Sequence, residues 1–105
     1  MMRGPGATLL LARALAVSAA RGGLDLAVEE HGSKPWHSAT FSGHRHSLFV
    51  TAKPAGSAAS AWLATIRSLD VRLPGELLAD LSVVEENDGG DLCHARIEAL
   101  TVEHA

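Results

Sequence analysis

Cysteine and aromatic residues are scarce in this 105-residue sequence, which contains one cysteine, no tyrosine, two tryptophans and two phenylalanines. A single cysteine excludes a disulfide within the chain, which is typical of proteins from reducing compartments, so we expect a cytoplasmic protein. With so few rings, the core must be built from leucine, valine, isoleucine and alanine. Such a core is light, and we expect a second copy of the chain to cover what it leaves exposed.

Long apolar runs and a basic surface are also missing. No stretch approaches the ~20 apolar residues of a membrane-spanning helix, so we expect no membrane segment. The net charge is −3 and no basic stripe covers a face, so we expect no nucleic-acid partner. Residues 1–53 carry six basic and three acidic side chains, whereas residues 54–105 carry three basic and nine acidic. Halves of opposite sign favour pairing of two copies, but they also fit an ordinary solvated surface.

The length and composition predict one small soluble domain over residues 1–105, with residues 1–7 as a flexible tail. The N-terminal segment combines a basic start with an apolar stretch, as a secretory signal does. Because Arg13 interrupts that stretch, we favour a helix of the mature domain over residues 8–21, with Thr8 as its N-cap. The alternative is an exported protein from which this segment is removed.

Turn residues and period-two alternation of apolar side chains predict five β-strands. A second helix is predicted from Ser57 to about Leu69, because Trp62 and Ile66 recur at helical spacing. The predicted fold class is α+β, with two helices packed on one face of a five-stranded, mainly antiparallel sheet in the order α-β-β-β-α-β-β. The predicted strands occupy residues 24–30, 36–42, 47–52, 77–86 and 92–102, with turns at residues 31–35, 42–46 and 87–90.

The predicted element order is similar to that of small acidic secretion chaperones, which are dimers that hold an unfolded client. The resemblance lies in architecture alone and implies a dimeric, non-catalytic protein. Separately, the segment Asp25–Glu30 resembles Asp80–Glu86, and each follows a predicted helix and precedes a turn containing glycine. Acidic pairs at strand ends explain this similarity as easily as a duplication does.

Histidine is the one residue type whose distribution indicates a site. His44 and His46 are two positions apart, which places both rings on one face of an extended strand, and His37 lies across the predicted hairpin. Three such imidazoles bind zinc or another divalent transition metal. No HExxH motif, paired CxxC or histidine–carboxylate triad accompanies them, so a solvated hairpin tip explains the same residues. The other histidines are His31, His94 and His104.

The remaining reactive side chains indicate structure rather than catalysis. Cys93 lies between apolar neighbours in a predicted strand, which favours a small buried side chain. Glu29-Glu30 and Glu85-Glu86 lie at strand ends beside turns, whereas general acid–base chemistry needs an enclosed carboxyl group. The sequence has no GxSxG elbow and no phosphate-binding glycine loop.

Leu100 and Val102 fall on the polar face of the last predicted strand. Either a bulge reverses the register there, or both side chains contact a partner. We therefore expect a small non-enzymatic binding or protein-interaction module without a cofactor, acting as a homodimer or with a small protein partner. The alternative is a metal-binding or histidine-dependent enzyme built on His37, His44 and His46.

Overall fold

The computed structural model describes residues 6–103 as two α-helices, a short 3₁₀ turn and one four-stranded sheet. Of the predicted tail, residues 1–5 lie outside the described part, and Ala7 is already helical. No helix within residues 6–103 is both long and apolar enough to cross a membrane. In chain order the elements are α1 (Ala7–Arg21), β1 (Asp25–His37), β2 (Ser42–Lys53), α2 (Ser57–Thr65), the 3₁₀ turn (Ile66–Ser68), β3 (Glu76–Gly89) and β4 (Leu92–Glu103).

The sheet is antiparallel throughout, and its strands lie in the spatial order β1-β2-β4-β3. Two hairpins, β1-β2 and β3-β4, therefore meet along the pairing of β2 with β4. The predicted α+β class and antiparallel sheet are confirmed. The predicted fifth strand is wrong, because the sheet has four strands.

The error arises at residues 31–35, whose residue types predict a turn but whose backbone is extended within β1. The whole of β1 pairs with β2, from Asp25 opposite Lys53 to His37 opposite Ser42. Pro35 is accommodated because β1 is an edge strand, where half of the N–H groups point away from the sheet. The hairpin turn lies at residues 38–41 rather than 42–46. The observed order α-β-β-α-β-β removes the architectural basis of the resemblance to secretion chaperones.

Helix α1 covers the sheet with three side chains that have no exposed surface: Leu11, Leu15 and Ala19. Its N-cap is Gly6, and no side chain caps its first turn. The prediction that Thr8 is the N-cap is therefore wrong, and its hydroxyl is hydrogen-bonded to His46 of β2 instead.

The second predicted helix is present as α2 followed by the 3₁₀ turn. Trp62 is buried, and its indole Nε1 donates to Ser18 Oγ of α1 at 2.9 Å. The two helices thus contact each other above the sheet.

One face of the sheet supplies the core. The apolar side chains that alternate along β4 toward this face are all buried, as predicted. The opposite face, which we call the open face, carries half-buried and exposed side chains, and no described element covers it. The buried face presents Leu48, Val50, Ala52, Leu81, Cys93, Ala95, Ile97 and Ala99.

Both hairpins contain a bulge at the same place in a similar sequence. In the β1-β2 pairing the extra residue is Glu29, which follows Val28. The β3-β4 pairing has two extra residues, Ala79 and Val84, and the second of them follows Val83. The bulges at Glu29 and Val84 thus fall at equivalent positions of the similar segments Asp25–Glu30 and Asp80–Glu86, whereas the bulge at Ala79 has no counterpart in the β1-β2 pairing.

Candidate functional site

The histidine pair predicted from the sequence lies within β2 rather than at a hairpin tip. The rings of His44 and His46 are on the helix-facing side of the sheet, with their centroids 6.0 Å apart. Their environments differ: His46 is only 1% exposed, whereas about a third of the His44 side chain (32%) is exposed. The prediction that the two rings share a face is confirmed.

His46 is held between two threonine hydroxyls from distant parts of the chain. Its Nδ1 lies 2.7 Å from Thr8 Oγ1 at the start of α1, and its Nε2 lies 2.9 Å from Thr101 Oγ1 on β4. Thr101 Oγ1 also makes a short hydrogen bond to Glu76 Oε1 on β3. The same carboxylate oxygen lies 3.2 Å from His44 Nδ1. We call this set, Thr8, His46, Thr101, Glu76 and His44, the polar chain.

The direction of each hydrogen bond in the polar chain follows from the carboxylate. Ionised Glu76 can only accept, so Thr101 donates its single proton to it. Thr101 then accepts from the N–H at Nε2 of His46, which leaves Nδ1 as the acceptor of the Thr8 proton. Neutral His46 therefore has one defined tautomer, and both ring nitrogens are occupied.

Burial and hydrogen bonding shift the pKa values of the polar chain. Burial lowers the pKa of His46, and the neighbouring His44 lowers it further, against the opposing charge of Glu76. For Glu76, burial favours the protonated form, but hydrogen bonds from Thr101 and His44 outweigh it and lower the pKa of this carboxyl. Both shifts stabilise the observed arrangement, a neutral imidazole near an ionised carboxylate.

Four members of the polar chain, all except Thr101, line a groove between the start of α1 and the sheet. The groove has a volume of about 670 Å³ and is bordered by Gly6, Thr8, His44, His46, Glu76 and Glu103. Ser42 Oγ of β2 donates to Glu103 Oε1 at 3.0 Å. Every buried side-chain nitrogen or oxygen among residues 6–103 has a hydrogen-bonding partner. The groove is therefore lined by a satisfied polar network.

The predicted metal ligands are only partly brought together. His37 is exposed at the end of β1, opposite Ser42, two pairs beyond the pairing of Pro35 with His44. Within residues 6–103, no group of three or more histidine, cysteine or acidic side chains is arranged to hold a metal ion. His46 would have to release a threonine to bind one. His104 lies outside the described residues. A zinc site on His37, His44 and His46 stays a prediction.

Sequence reasoning missed the residues that hold the histidines: Thr8, Glu76 and Thr101. The signal that identifies Thr101 is the pairing of β2 with β4, which places it opposite His44. That contact joins residues far apart in the chain, and local periodicity carries no information about it.

Cys93 behaves as the sequence predicts. It is 1% exposed, and burial together with a hydrogen bond to Asp88 raises the pKa of its thiol to about 11. A thiol with this pKa stays protonated near neutral pH and is a poor nucleophile.

A second candidate surface is the open face. Leu100 and Val102 are half-buried there, and the bulge beside them is at Ala79 of β3, so it does not turn the β4 side chains inward. Leu77 of β3, next to Val102, is 60% exposed, and Phe49 of β2 is 42% exposed. Trp36 of β1 lies opposite Gly43, and its indole Nε1 reaches across β2 to the carbonyl oxygen of Thr101 at 3.2 Å.

Gly43 permits β2 to approach the backbone of β4 closely at this point. A Cβ atom at this position would lie 1.9 Å from the carbonyl oxygen of Thr101. Trp36, Val102 and Leu77 thus form an apolar strip across one end of the open face, with Leu100 one row behind, and we call these four residues the apolar strip.

No protein-family model, curated protein or solved structure matches this chain.

Proposed function

We propose that the protein is a non-enzymatic interaction module that pairs with a second copy of itself through the open face of its sheet. The observation that carries this proposal is the apolar strip, because apolar side chains grouped on a sheet face without a covering element mark contact surfaces. Leu100 and Val102 are the interface residues expected from the sequence, and Leu77 and Trp36 extend the contact to the edge strands.

The size of the open face suits a stable dimer. Strands about 4.8 Å apart and about 3.4 Å per residue give a face of roughly 19 Å by 40 Å, or about 760 Å². A standard protein interface buries about 800 Å² of solvent-accessible surface on each partner, so a stable dimer would cover most of the open face. Face-to-face packing of two sheets would also complete the layered architecture, since the helices already cover the other side.

The satisfied polar chain supports a non-enzymatic role. A general base must be within reach of a substrate proton. Both nitrogens of His46 are hydrogen-bonded to the protein, and its ring is buried. The polar chain joins α1, β2, β3 and β4, so its hydrogen bonds hold the helix layer on the sheet.

Sedimentation velocity between about 1 and 100 µM tests the proposal, a range that brackets micromolar association. We expect a dimer whose dissociation constant rises at least tenfold in Leu77→Asp and in Leu100→Asp. Val17→Asp is the matched control, because Val17 is 54% exposed on α1, away from the open face. Leu77 is as exposed as Val17, so an aspartate at either position should leave the fold intact. Loss of the dimer in L77D alone would therefore report the interface and not misfolding. A monomer at every concentration overturns the proposal. If the open face binds another protein but not a second copy, the partner is a small protein and the proposed self-pairing is wrong.

The second candidate function is that of a metal-binding or histidine-dependent enzyme, and the specific observation in its favour is the groove that His44 and His46 border. The exposed part of His44 would bind zinc together with His37, and His46 would join after releasing Thr8. Titration calorimetry with zinc chloride tests this binding. We expect micromolar affinity that is lost in His44→Ala, whereas His94→Ala, on the open face, should bind as wild type does. The absence of any heat of binding removes this candidate.

We also propose that the protein acts in the cytoplasm and binds no nucleic acid. The buried single thiol fits a reducing compartment, and the net charge of −3 disfavours phosphate backbones. Export with removal of the N-terminal segment is the alternative, but cleavage near Ala20 would remove the three fully buried side chains of α1 from the core. Mass spectrometry of the natively expressed chain distinguishes the two.

A further inference from the structure

We infer that two copies pack open face to open face about a two-fold axis parallel to the strands, so that β1 and β2 of each copy lie against β3 and β4 of the other. This inference rests on the proposed function and specifies its partner and its contacts. It is carried by the rows of side chains that the antiparallel register places side by side across the sheet.

Three rows of the open face carry the argument, each read from β1 through β2 and β4 to β3. The first is Trp36, Gly43, Val102 and Leu77; the second is Lys34, Arg45, Leu100 and Asp80; the third is Glu30, Phe49, Arg96 and Glu85.

Rotation about an axis parallel to the strands keeps each row at its own height and reverses its order. Every row therefore meets the same row of the second copy, with β1 against β3 and β2 against β4. Such a contact is isologous: each pair of residues occurs twice.

The first row then joins apolar groups. Trp36 of one copy meets Val102 and Leu77 of the other, because its indole extends from β1 across the buried Gly43. The exposed 60% of Leu77 becomes covered by an indole ring. A two-fold axis in the sheet plane but perpendicular to the strands would instead bring the apolar strip against the distant row with Thr51, His94 and Asn87. Apolar surface would then face polar side chains along the whole first row, whereas with the parallel axis only Leu100 of the apolar strip does so, because it meets Arg45.

The second row joins opposite charges. The exposed side chain of Lys34 on β1 meets that of Asp80 on β3 of the second copy. No salt bridge involves Lys34, Arg45 or Asp80 within residues 6–103. Because β1 and β3 are opposite edges of one sheet, Lys34 and Asp80 of the same chain are separated by the two inner strands. Their attraction therefore operates between copies.

The third row contains one favourable and one unfavourable pair. Phe49 meets Arg96, and an arginine over an aromatic ring is attractive. Glu30 meets Glu85, which is a like-charge pair. Arg96 lies 3.4 Å from Glu85 in the same chain and partly offsets its charge. The arrangement therefore predicts that Glu30→Lys tightens the dimer several-fold, whereas arrangements without this pair do not.

Charge exchange at the second row provides the decisive experiment. We expect Lys34→Glu and Asp80→Lys each to raise the dimer dissociation constant about tenfold, because each replaces two symmetry-related attractions by two repulsions. Both side chains are exposed, and circular dichroism should match wild type. Arg13→Glu, on the outer side of α1, is the charge-matched control and should leave the dissociation constant unchanged.

Mixing the two variants then tests the axis. At the second row, a heterodimer of one K34E chain with one D80K chain contains only attractive charge pairs. The two introduced side chains meet at one symmetry position, and the native Lys34 and Asp80 meet at the other. We expect this heterodimer to form with wild-type affinity. Native mass spectrometry at a protein concentration where neither variant forms a dimer by itself would detect it. A dimer that ignores both substitutions and shows no preferred heterodimer overturns the arrangement but leaves the proposed function intact. A strictly monomeric wild type overturns both.

Discussion

The two halves of the chain, α1-β1-β2 and α2-β3-β4, differ far more in their helices than in their hairpins. Helix α1 has 15 residues and contributes Leu11, Leu15 and Ala19 as fully buried side chains. Helix α2 has nine residues and continues into a 3₁₀ turn whose Ile66 is buried. Both hairpins nevertheless carry a bulge immediately after the valine of an Asp-Leu-x-Val segment. Hairpin geometry thus follows the local pattern, whereas each helix adapts to the space left above the sheet.

The halves are joined by two features that neither possesses alone. The polar chain takes Thr8, His44 and His46 from the first half and Glu76 and Thr101 from the second. The close approach of Gly43 to the Thr101 carbonyl lies on the same seam between β2 and β4. Substitutions within one half, at the seam and at the bulges should therefore change the free energy of unfolding by different amounts.

The largest effect is expected from removing the anchor of the first half. Leu15→Ala should lower the free energy of unfolding by about 3 to 4 kcal/mol, because it opens a cavity under a helix that spans two strands. Leu63→Ala in α2 should cost about 2 kcal/mol, since this shorter helix lies at the margin of the core. Urea unfolding followed by circular dichroism measures both. Equal losses would contradict the view that α1 is the main cover of the sheet.

A smaller effect is expected at the seam. Gly43→Ala should cost about 2 to 3 kcal/mol, because its Cβ forces β2 and β4 apart. Gly32→Ala is the matched control on β1: an added Cβ there meets nothing within 4 Å, so the free energy of unfolding should change by less than about 0.5 kcal/mol. Thermal unfolding of both variants provides the comparison, and a wild-type melting temperature for G43A would show that the strands can separate without cost.

Acid should weaken the seam gradually. Because the pKa of His46 is lowered in the folded state, the unfolded chain binds this proton more readily, and stability falls as the pH drops below 6.5. The lowered pKa of Glu76 adds a further loss below pH 4.5. One proton limits the slope to about 1.4 kcal/mol per pH unit. His46→Gln should flatten the first phase and retain the second in urea titrations at stepped pH; an unchanged first phase would assign it to another group.

The smallest effect sharpens the similarity of the halves. Glu29→Val and Val84→Glu exchange the two bulge residues, both of which are exposed. Each substitution should change the free energy of unfolding by less than about 0.5 kcal/mol, although the first removes a hydrogen bond from Thr51. Backbone amide shifts in NMR spectra would show whether the bulges stay in place. A moved bulge would mean that the bulge residue itself, rather than the Asp-Leu-x-Val segment, sets its position.

The extent to which the sequence predicts this fold depends on where each contact partner lies. Alternation from Cys93 to Ala99 predicts β4 correctly, because one face is buried and the other is not. The segment from His31 to Pro35 contains turn residues, but pairing with β2 holds it extended, which no local rule anticipates. Alternation also places Leu100 and Val102 correctly on the open face, although it carries no information about what contacts them.

The candidate site is predicted only in part for the same reason. The two-residue spacing of His44 and His46 correctly puts both rings on one face. Their burial depends on α1 arriving above β2, and their hydrogen bonds depend on Thr101 and Glu76 arriving from the other hairpin. These contacts join residues far apart in the chain, so residue spacing within one segment does not predict them.

The reach of Trp36 across Gly43 gives the molecule an optical property. Its two tryptophans sample different layers: Trp62 is buried beneath the helices, whereas Trp36 lies half-buried on the open face. In a Trp62→Phe variant, all indole emission would originate from Trp36. The wavelength of that emission would then report, in real time, the loss of water from around Trp36 when the open face becomes covered. It would not respond to changes beneath the helices.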